Sequence, residues 1–118
     1  MSDPLTKIRQ AALELPETEE RLSHGQPTFF VGGKQFAQFR DNHHGDGKRV
    51  VCVRVSSLDE QAMLFEADPE TYSKPAYLPS WISIILAGRN VDWDHVADRI
   101  AASWELAAPR RLLEAGGR

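Results

Sequence analysis

Cysteine is almost absent from this sequence, and that scarcity excludes two classes of protein. Cys52 is the single cysteine among 118 residues, so the chain can form no internal disulfide and no thiolate cluster for zinc. Because Cys52 lies inside the apolar segment "VVCVRV", we interpret it as a small core residue of a strand.

Long apolar runs are lacking as well. The longest, "WISIILA" at residues 81–87, is far shorter than the roughly 20 residues that a membrane helix requires. The amino-terminal segment "MSDPLTKIRQAALELPE" has no apolar signal core. These patterns predict a cytoplasmic protein that does not enter a membrane.

Catalytic and cofactor motifs are also missing. The segment "VGGK" at residues 31–34 lacks the longer frame of a P-loop and runs from strand to strand, so we interpret it as a turn. The histidines of "DNHHGDG", His43 and His44, are adjacent in a polar loop, where two neighbouring imidazoles rarely converge on one ion. The sequence therefore predicts no enzyme, no cofactor and no metal site.

What the sequence does contain is an uneven distribution of charge. The net charge is −3, which argues against a general polyanion-binding protein. Residues 23–55, however, carry five basic and two acidic side chains, whereas residues 56–118 carry six and ten. The middle of the chain is thus a positive region in an acidic protein.

The length and the apolar periodicity predict one α+β domain over residues 1–118. "SDPLTKIRQAALELPE" predicts a helix capped by Ser2 or Asp3, and "TEERLS" a first strand. "SLDEQAMLFEAD" predicts a helix capped by Ser56 or Ser57, and the last long helix is capped by Asn90 or Asp92. The buried side of the middle helix is assigned to Leu58, Ala62 and Phe65, and the proline-rich "PETYSKPAYLPS" is expected to be irregular. Strands are predicted at about 27–31 and 34–40, in "KRVVCVRV" as a central strand, and in "WISIIL", which gives the order α-β-β-β(-β)-α-β-α with an antiparallel sheet backed by helices.

The Gly-Gly pair at residues 32–33 predicts a two-residue hairpin. A regular register pairs Phe30 with Gln35 and Phe29 with Phe36, which places Phe29, Val31 and Phe36 on one face. The opposite face carries the remaining apolar residues of the ribbon, Phe30, Ala37 and Phe39. Both faces are apolar, so the sequence leaves open which of them packs on the helices and what covers the other.

The segments "ALELPETEERLSHGQPTFFVGGKQFAQF", "AYLPSWISIIL" and "VDWDHVADRIAASWELAAP" together resemble the MmcQ/YjbR-like family of small bacterial proteins. The matching residues are Gly25, Pro27, Phe29, Val31, Gly33, Lys34, Phe36 and Ala37 in the hairpin, Trp81 in the late strand, and Asp92, Trp93, Ser103, Trp104 and Leu106 in the final helix. The resemblance implies a frataxin-like fold and a DNA-binding role in which hairpins act as a double wing.

Our leading hypothesis is accordingly a non-enzymatic protein that binds double-stranded DNA, weakly and with strong salt dependence, through the hairpin. The expected contacts are basic residues of the hairpin and its neighbours: Lys34, Arg40, Lys48, Arg49, Arg54 and Lys74. An alternative is a small-molecule binding protein with an apolar pocket lined by Tyr72, Tyr77 and Trp81. A further alternative is an interaction module or homodimer in which the second hairpin face meets another chain.

Overall fold

The computed structural model describes residues 3–41, 49–75, 78–86 and 91–115, in which one helix precedes four successive strands and two helices follow the last strand. The helices are α1 (Pro4–Leu13), α2 (Leu58–Ala67), α3 (Trp93–Ala107) and the short α4 (Arg110–Glu114). The strands are β1 (Thr18–Ser23), β2 (Gln26–Val31), β3 (Lys34–Asp41), β4 (Arg49–Arg54), β5 (Tyr72–Ser73) and β6 (Trp81–Ile85). The predictions for His43, His44, Lys48, Tyr77 and Asn90 lie outside the described residues.

Side chains cap the three longer helices. The Asp3 carboxylate accepts a hydrogen bond from the Thr6 N–H at 2.8 Å, and the Ser57 hydroxyl accepts one from the Glu60 N–H at 3.0 Å. Asp92 caps α3 by accepting from the N–H of His95 at 3.1 Å. Each bond satisfies an amide that has no partner within the first turn of its helix. Of the caps predicted in pairs, the structure thus selects the second of each.

The six strands form one antiparallel sheet in the order β1-β2-β3-β4-β6-β5. The predicted α+β class and the antiparallel sheet backed by helices are confirmed, and β4 lies between β3 and β6, as expected of a central strand. The strands β2 and β3 are both interior strands as well, since each pairs with a neighbour on either side. The hairpin is therefore part of the sheet over the described residues and does not project from it.

The hairpin register departs from the regular prediction after its first two pairs. Phe30 pairs with Gln35, as predicted, but Phe29 then pairs with Ala37 instead of Phe36. The shift is a β-bulge at Phe36, in which one extra residue of β3 is accommodated opposite β2. The predicted pair of Phe29 with Phe36 is wrong for this reason.

The bulge decides which aromatic residues enter the core. Phe29, Phe36 and Phe39 are all buried in the cluster that the helices cover, with exposed fractions of 0%, 0% and 7%. Helix α3 packs over β3 and β4, and its buried residues include Val96, Ile100, Trp104 and Ala107. Phe36, Ala37 and Phe39 thus lie on the same side, and the predicted grouping of Ala37 and Phe39 with Phe30 is wrong.

Two further expectations differ from the structure, and one short helix, α4, was not predicted. In α2 the predicted buried side is exposed, with Leu58 at 60% and Phe65 at 37%, whereas Gln61 is buried at 8%. Gln61 is buried because its Nε2 donates to the Trp81 carbonyl at 2.6 Å, which ties α2 to the start of β6. The proline-rich segment contains the two-residue strand β5, and helix α4 follows Pro109.

Within the described ranges, no helix has both the length and the apolar character needed to cross a membrane.

Candidate nucleic-acid interface

The strand registers divide the sheet into two faces of different character. One face packs on α1 and α3 and carries the core cluster. We call the other face the open face, because the smaller apolar cluster on it includes no residue of a described helix. The strand residues of the open face are Glu19, Arg21, Ser23, Gln26, Thr28, Phe30, Gln35, Gln38, Arg40, Val50, Cys52, Arg54, Ser73, Trp81, Ser83 and Ile85. Among these strand residues there are three arginines and one acid, Glu19. The open face therefore has a positive balance although the whole chain is acidic.

The bulge positions the first of these arginines. At Phe36 the ladder between β3 and β4 opens, and the Ser103 hydroxyl of α3 fills the gap: it accepts from the Arg54 N–H at 2.8 Å and donates to the Phe36 carbonyl. The Arg54 side chain folds back, and its Nε donates to the Gln35 carbonyl at 2.8 Å. Two backbone carbonyls beside the bulge are thus satisfied, one by Ser103 and one by Arg54.

Arginines on the open face lie over aromatic rings. The Arg54 guanidinium carbon is 5.0 Å from the centroid of the Trp81 ring, and that of Arg21 is 4.2 Å from the centroid of the Phe30 ring. Both distances are within the range of a cation–π interaction. Because these contacts hold the guanidinium planes against the sheet, they fix the position of positive charge with little loss of side-chain entropy on binding. Partial burial also lowers the pKa of Arg54, although an arginine side chain stays charged at any physiological pH.

The third arginine is not available in the way that the sequence suggested. Arg40 was expected to contact phosphate, yet it is 7% exposed and its Nε donates to the Gln38 Oε1 at 2.7 Å. Gln38 in turn donates through Nε2 to the Thr28 hydroxyl at 3.0 Å. Arg40 therefore belongs to a buried hydrogen-bond chain across β2 and β3, which leaves little of its side chain exposed, and its contact with phosphate stays a prediction.

The other predicted cations are separated from one another. Lys34 is exposed at the hairpin turn, at the first residue of β3. Arg49 pairs across the sheet with Asp41, at the opposite end of β3, and the two side chains form an ion pair at 3.5 Å. Asp41 is seven residue steps along the strand from Lys34, which corresponds to about 23 Å at ~3.3 Å per step. Lys74 is exposed beside Phe65, with its Nζ 6.0 Å from the ring centroid. These residues do not form one patch, and Lys48 lies outside the described residues.

The hairpin turn itself is held by the carboxy-terminal segment. Gly32 and Gly33 have φ values of 57° and 80°, as a two-residue turn requires. A Cβ on Gly32 would come within 2.6 Å of the Pro109 Cγ, so the turn packs closely on the residue that precedes α4. Arg111 of α4 forms two hydrogen bonds with the Glu17 carboxylate, at 2.7 and 2.8 Å. That pairing holds the pKa of Glu17 below its ordinary value.

The predicted apolar pocket is not assembled by the described residues. Tyr72 pairs with Ile84 on the helix-covered face, whereas Trp81 pairs with Arg54 on the open face, so the two rings lie on opposite sides of the sheet. Tyr72 is 5% exposed and its hydroxyl contacts the His95 Nε2; burial raises its pKa. Tyr77 lies outside the described residues.

A shallow cleft of about 380 Å³ lies at the turn end of the sheet. Its lining is not that of the predicted pocket, since it includes two carboxylates and the turn glycines: Glu17, Thr18, Glu19, Phe30, Gly32 and Gly33. Across the ranges that the structure describes, no three His, Cys, Asp or Glu side chains are grouped so that they could hold a metal ion.

The sequence analysis missed the roles of two residues: Arg21, which lies on the open face, and Ser103, which binds the backbone beside that face from α3. Arg21 lies in the predicted first strand, but it could be placed over Phe30 only once β1 was paired with β2 in the register Glu19 with Phe30 and Arg21 with Thr28. Ser103 was noted as part of a family motif, and its role in the bulge depends on a contact between positions 67 residues apart. Neither feature has a local sequence signal.

Comparisons with known proteins agree with this architecture. A family model described as YjbR matches residues 13–106. The crystal structure of Deinococcus radiodurans protein DR2400, described with the domain DUF419, superimposes with a TM-score of 0.71 at 19% sequence identity. That superposition covers 86% of this chain and 76% of the other. The likeness concerns the fold and not the function. The curated proteins contain no match to the chain.

Proposed function

We propose, for a chain that belongs to the YjbR family, that it binds double-stranded DNA weakly through the open face of its sheet. The proposal retains the DNA-binding role that the family resemblance implies and changes the element that performs it. Because β2 and β3 are interior strands, a ligand can contact one face of the hairpin and its turn, but it cannot surround the hairpin as it could a projecting wing.

The observation that carries the proposal is the pair of arginines stacked on the open face. Arg21 on Phe30 and Arg54 on Trp81 hold positive charge on the open face, where Glu19 is the one acidic strand residue described. Glu19 lies 3.9 Å from the Arg21 Nε in an exposed ion pair, which water and salt weaken. Phosphate groups are recognised by arginine through its planar set of N–H donors. Lys34 is exposed at the turn end of the same hairpin. It pairs with the core residue Val31, so it lies at the rim of the open face and not on it.

The strength of binding follows from the small number of cations. Each neutralised phosphate contributes a slope of about −0.9 to the dependence of log K on log salt concentration. Arg21, Arg54 and Lys34 together predict a slope of about −2 to −3, which is modest beside that of a typical operator-binding protein. These contacts also position the protein without reading base sequence, so little sequence preference is expected.

The test is fluorescence anisotropy of a labelled duplex titrated with the protein at several salt concentrations. Arg21→Glu should weaken binding at low salt by about tenfold or more, because a surface cation is replaced by an anion beside Glu19. Lys7→Glu is the matched control: it makes the same change of charge on α1, on the helix-covered side. Absence of binding at low salt, or equal losses in the two variants, would contradict the proposed interface.

A further inference from the structure

The strand β1 forms one edge of the sheet, and its outer side has a definite hydrogen-bonding pattern. Within the described residues β1 pairs with β2 alone. The two strands are joined by His24 and Gly25, whose φ values of 53° and 78° form a two-residue turn that closes on the pair Ser23 and Gln26. The closing pair of such a turn exchanges both backbone hydrogen bonds, and bonded pairs then alternate along the ladder.

The alternation assigns a direction to every backbone group of β1. Ser23, Arg21 and Glu19 direct their N–H and C=O groups toward β2. The intervening residues Thr18, Glu20 and Leu22 therefore direct theirs outward, away from the sheet. Leu22 is also the most exposed of the large apolar residues described, at 74%. The edge thus offers three outward-directed residues and an uncovered leucine.

We propose that a second copy of this chain adds to this edge by antiparallel pairing of β1 with β1, about a two-fold axis through Glu20. In an isologous pairing, if one residue contacts a second residue of the other copy, the second contacts the first, and only a residue on the axis meets its own counterpart. Residues directly opposite each other have side chains on the same face of the sheet, so residues of the open face must pair with residues of the open face. The axis at Glu20 pairs Glu20 with Glu20, Thr18 with Leu22, and Leu22 with Thr18. All three outward-directed residues of each copy are then used, which gives roughly six hydrogen bonds between the copies.

Charge complementarity selects the same register. With the axis at Glu20, Glu19 lies opposite Arg21 of the second copy on the open face, and Arg21 lies opposite Glu19 of the second copy. Moving the axis to Glu19 or to Arg21 instead places like charges directly opposite each other, which destabilises a strand pair. The register with the most backbone hydrogen bonds is therefore also the one with two opposite-charge pairs.

The approach of the two Glu20 residues is already compensated within each copy. Arg9 of α1 holds the Glu20 carboxylate with three hydrogen bonds, at 2.9, 3.1 and 2.9 Å. The two-fold axis therefore brings together two neutral Arg9–Glu20 pairs and not two bare carboxylates. Without Arg9 the proposed axis would place two uncompensated carboxylates opposite each other on the helix-covered face.

The size of the contact predicts a weak dimer. A six-residue strand and one leucine bury less surface than the roughly 1,200 Å² of a stable interface. Pairing through the two-fold axis would make a continuous sheet with both open faces on the same side. Self-association is accordingly expected at about 100 μM protein and not at nanomolar concentration.

The experiment is sedimentation velocity over a concentration series up to about 1 mM protein. Wild-type protein should shift from monomer toward dimer. Leu22→Pro removes an outward N–H for which the described part of the chain shows no acceptor. Proline is tolerated on an edge strand, so this variant should remain folded by circular dichroism and self-associate at least tenfold more weakly.

A charge exchange tests the register separately, and it decides the question even if the proline variant does not fold. Glu19→Arg should weaken self-association about tenfold, since it places two arginines opposite each other across the axis. The double variant Glu19→Arg/Arg21→Glu should restore the wild-type dissociation constant, because each pair is simply reversed. A monomer at every concentration, or a dimer that is equally stable in Glu19→Arg and in the double variant, would overturn the proposal.

Discussion

Replacing Ser103 with alanine should destabilise the protein far more than the loss of one hydroxyl usually does. Ser103 is 0% exposed, and its hydroxyl serves both the Arg54 N–H and the Phe36 carbonyl at the bulge. Alanine at this position leaves one buried donor and one buried acceptor without a partner. Each unsatisfied group costs about 1–3 kcal/mol, so the expected loss in the free energy of unfolding for the two groups is about 2–6 kcal/mol.

The assay is urea unfolding followed by tryptophan fluorescence, with Trp104 as a buried reporter. A melting temperature lower by about 8–24 °C should accompany the change, at ~4 °C per kcal/mol for a domain of this size. Ser73→Ala is the control, because Ser73 is a half-buried serine of the short edge strand β5; it should change stability by less than about 0.5 kcal/mol. If Ser103→Ala is equally mild, the ladder closes directly from Arg54 to Phe36 and the hydroxyl is not required for the bulge.

Other contacts give independent predictions. Gly32→Ala should destabilise more than Gly25→Ala when both are compared by thermal unfolding: the two positions share a positive φ, but a Cβ at Gly32 meets Pro109 at 2.6 Å whereas one at Gly25 meets nothing within 4 Å. Equal losses would mean that the backbone conformation accounts for the whole effect. Trp104→Phe removes the hydrogen bond from Nε1 to the Pro16 carbonyl at 3.1 Å. It should lower the free energy of unfolding in urea by about 1–2 kcal/mol, and an unchanged urea midpoint would contradict this prediction. Finally, hydrogen bonding from the Ser56 N–H lowers the pKa of Glu60 below its ordinary 4.5, so its contribution to stability is present above that value and is lost as the pH falls through the lowered pKa. In Glu60→Gln the free energy of unfolding should therefore fall less steeply as the pH is lowered into the acid range. The same steepness in the variant and the wild type would contradict this assignment.

Much of the fold could be predicted because its signals are local. Caps, prolines and the 3.6-residue stripe of Val96, Ile100 and Trp104 mark α3 without reference to any other segment. The turn glycines likewise fix the first pairs of the hairpin. Helix α2 shows the limit of such signals: its buried residue is Gln61, which is selected by the Trp81 carbonyl on another strand and not by hydrophobicity.

The site could be predicted less well because its geometry depends on contacts between distant residues. Arg40 and Arg54 look alike in sequence, each a basic residue at the end of an apolar strand. Their environments differ because Gln38 binds the Arg40 Nε, whereas the bulge directs Arg54 toward the Gln35 carbonyl and the Trp81 ring. No local pattern distinguishes the two cases.

The bulge links the stability of the fold to the surface proposed for DNA. A regular hairpin would place Phe36 opposite Phe29, and every later residue of β3 would then change face. Ala37 and Phe39 would leave the core, and Gln38 and Arg40 would enter it, where a buried guanidinium is costly without partners. With the bulge, Phe36, Ala37 and Phe39 all enter the core, while Gln38, Arg40 and Arg54 stay on the open face. A perturbation that removes the bulge should therefore disturb the core and the positive face together. Ser103 of α3 stabilises the bulge, because its hydroxyl donates to the Phe36 carbonyl.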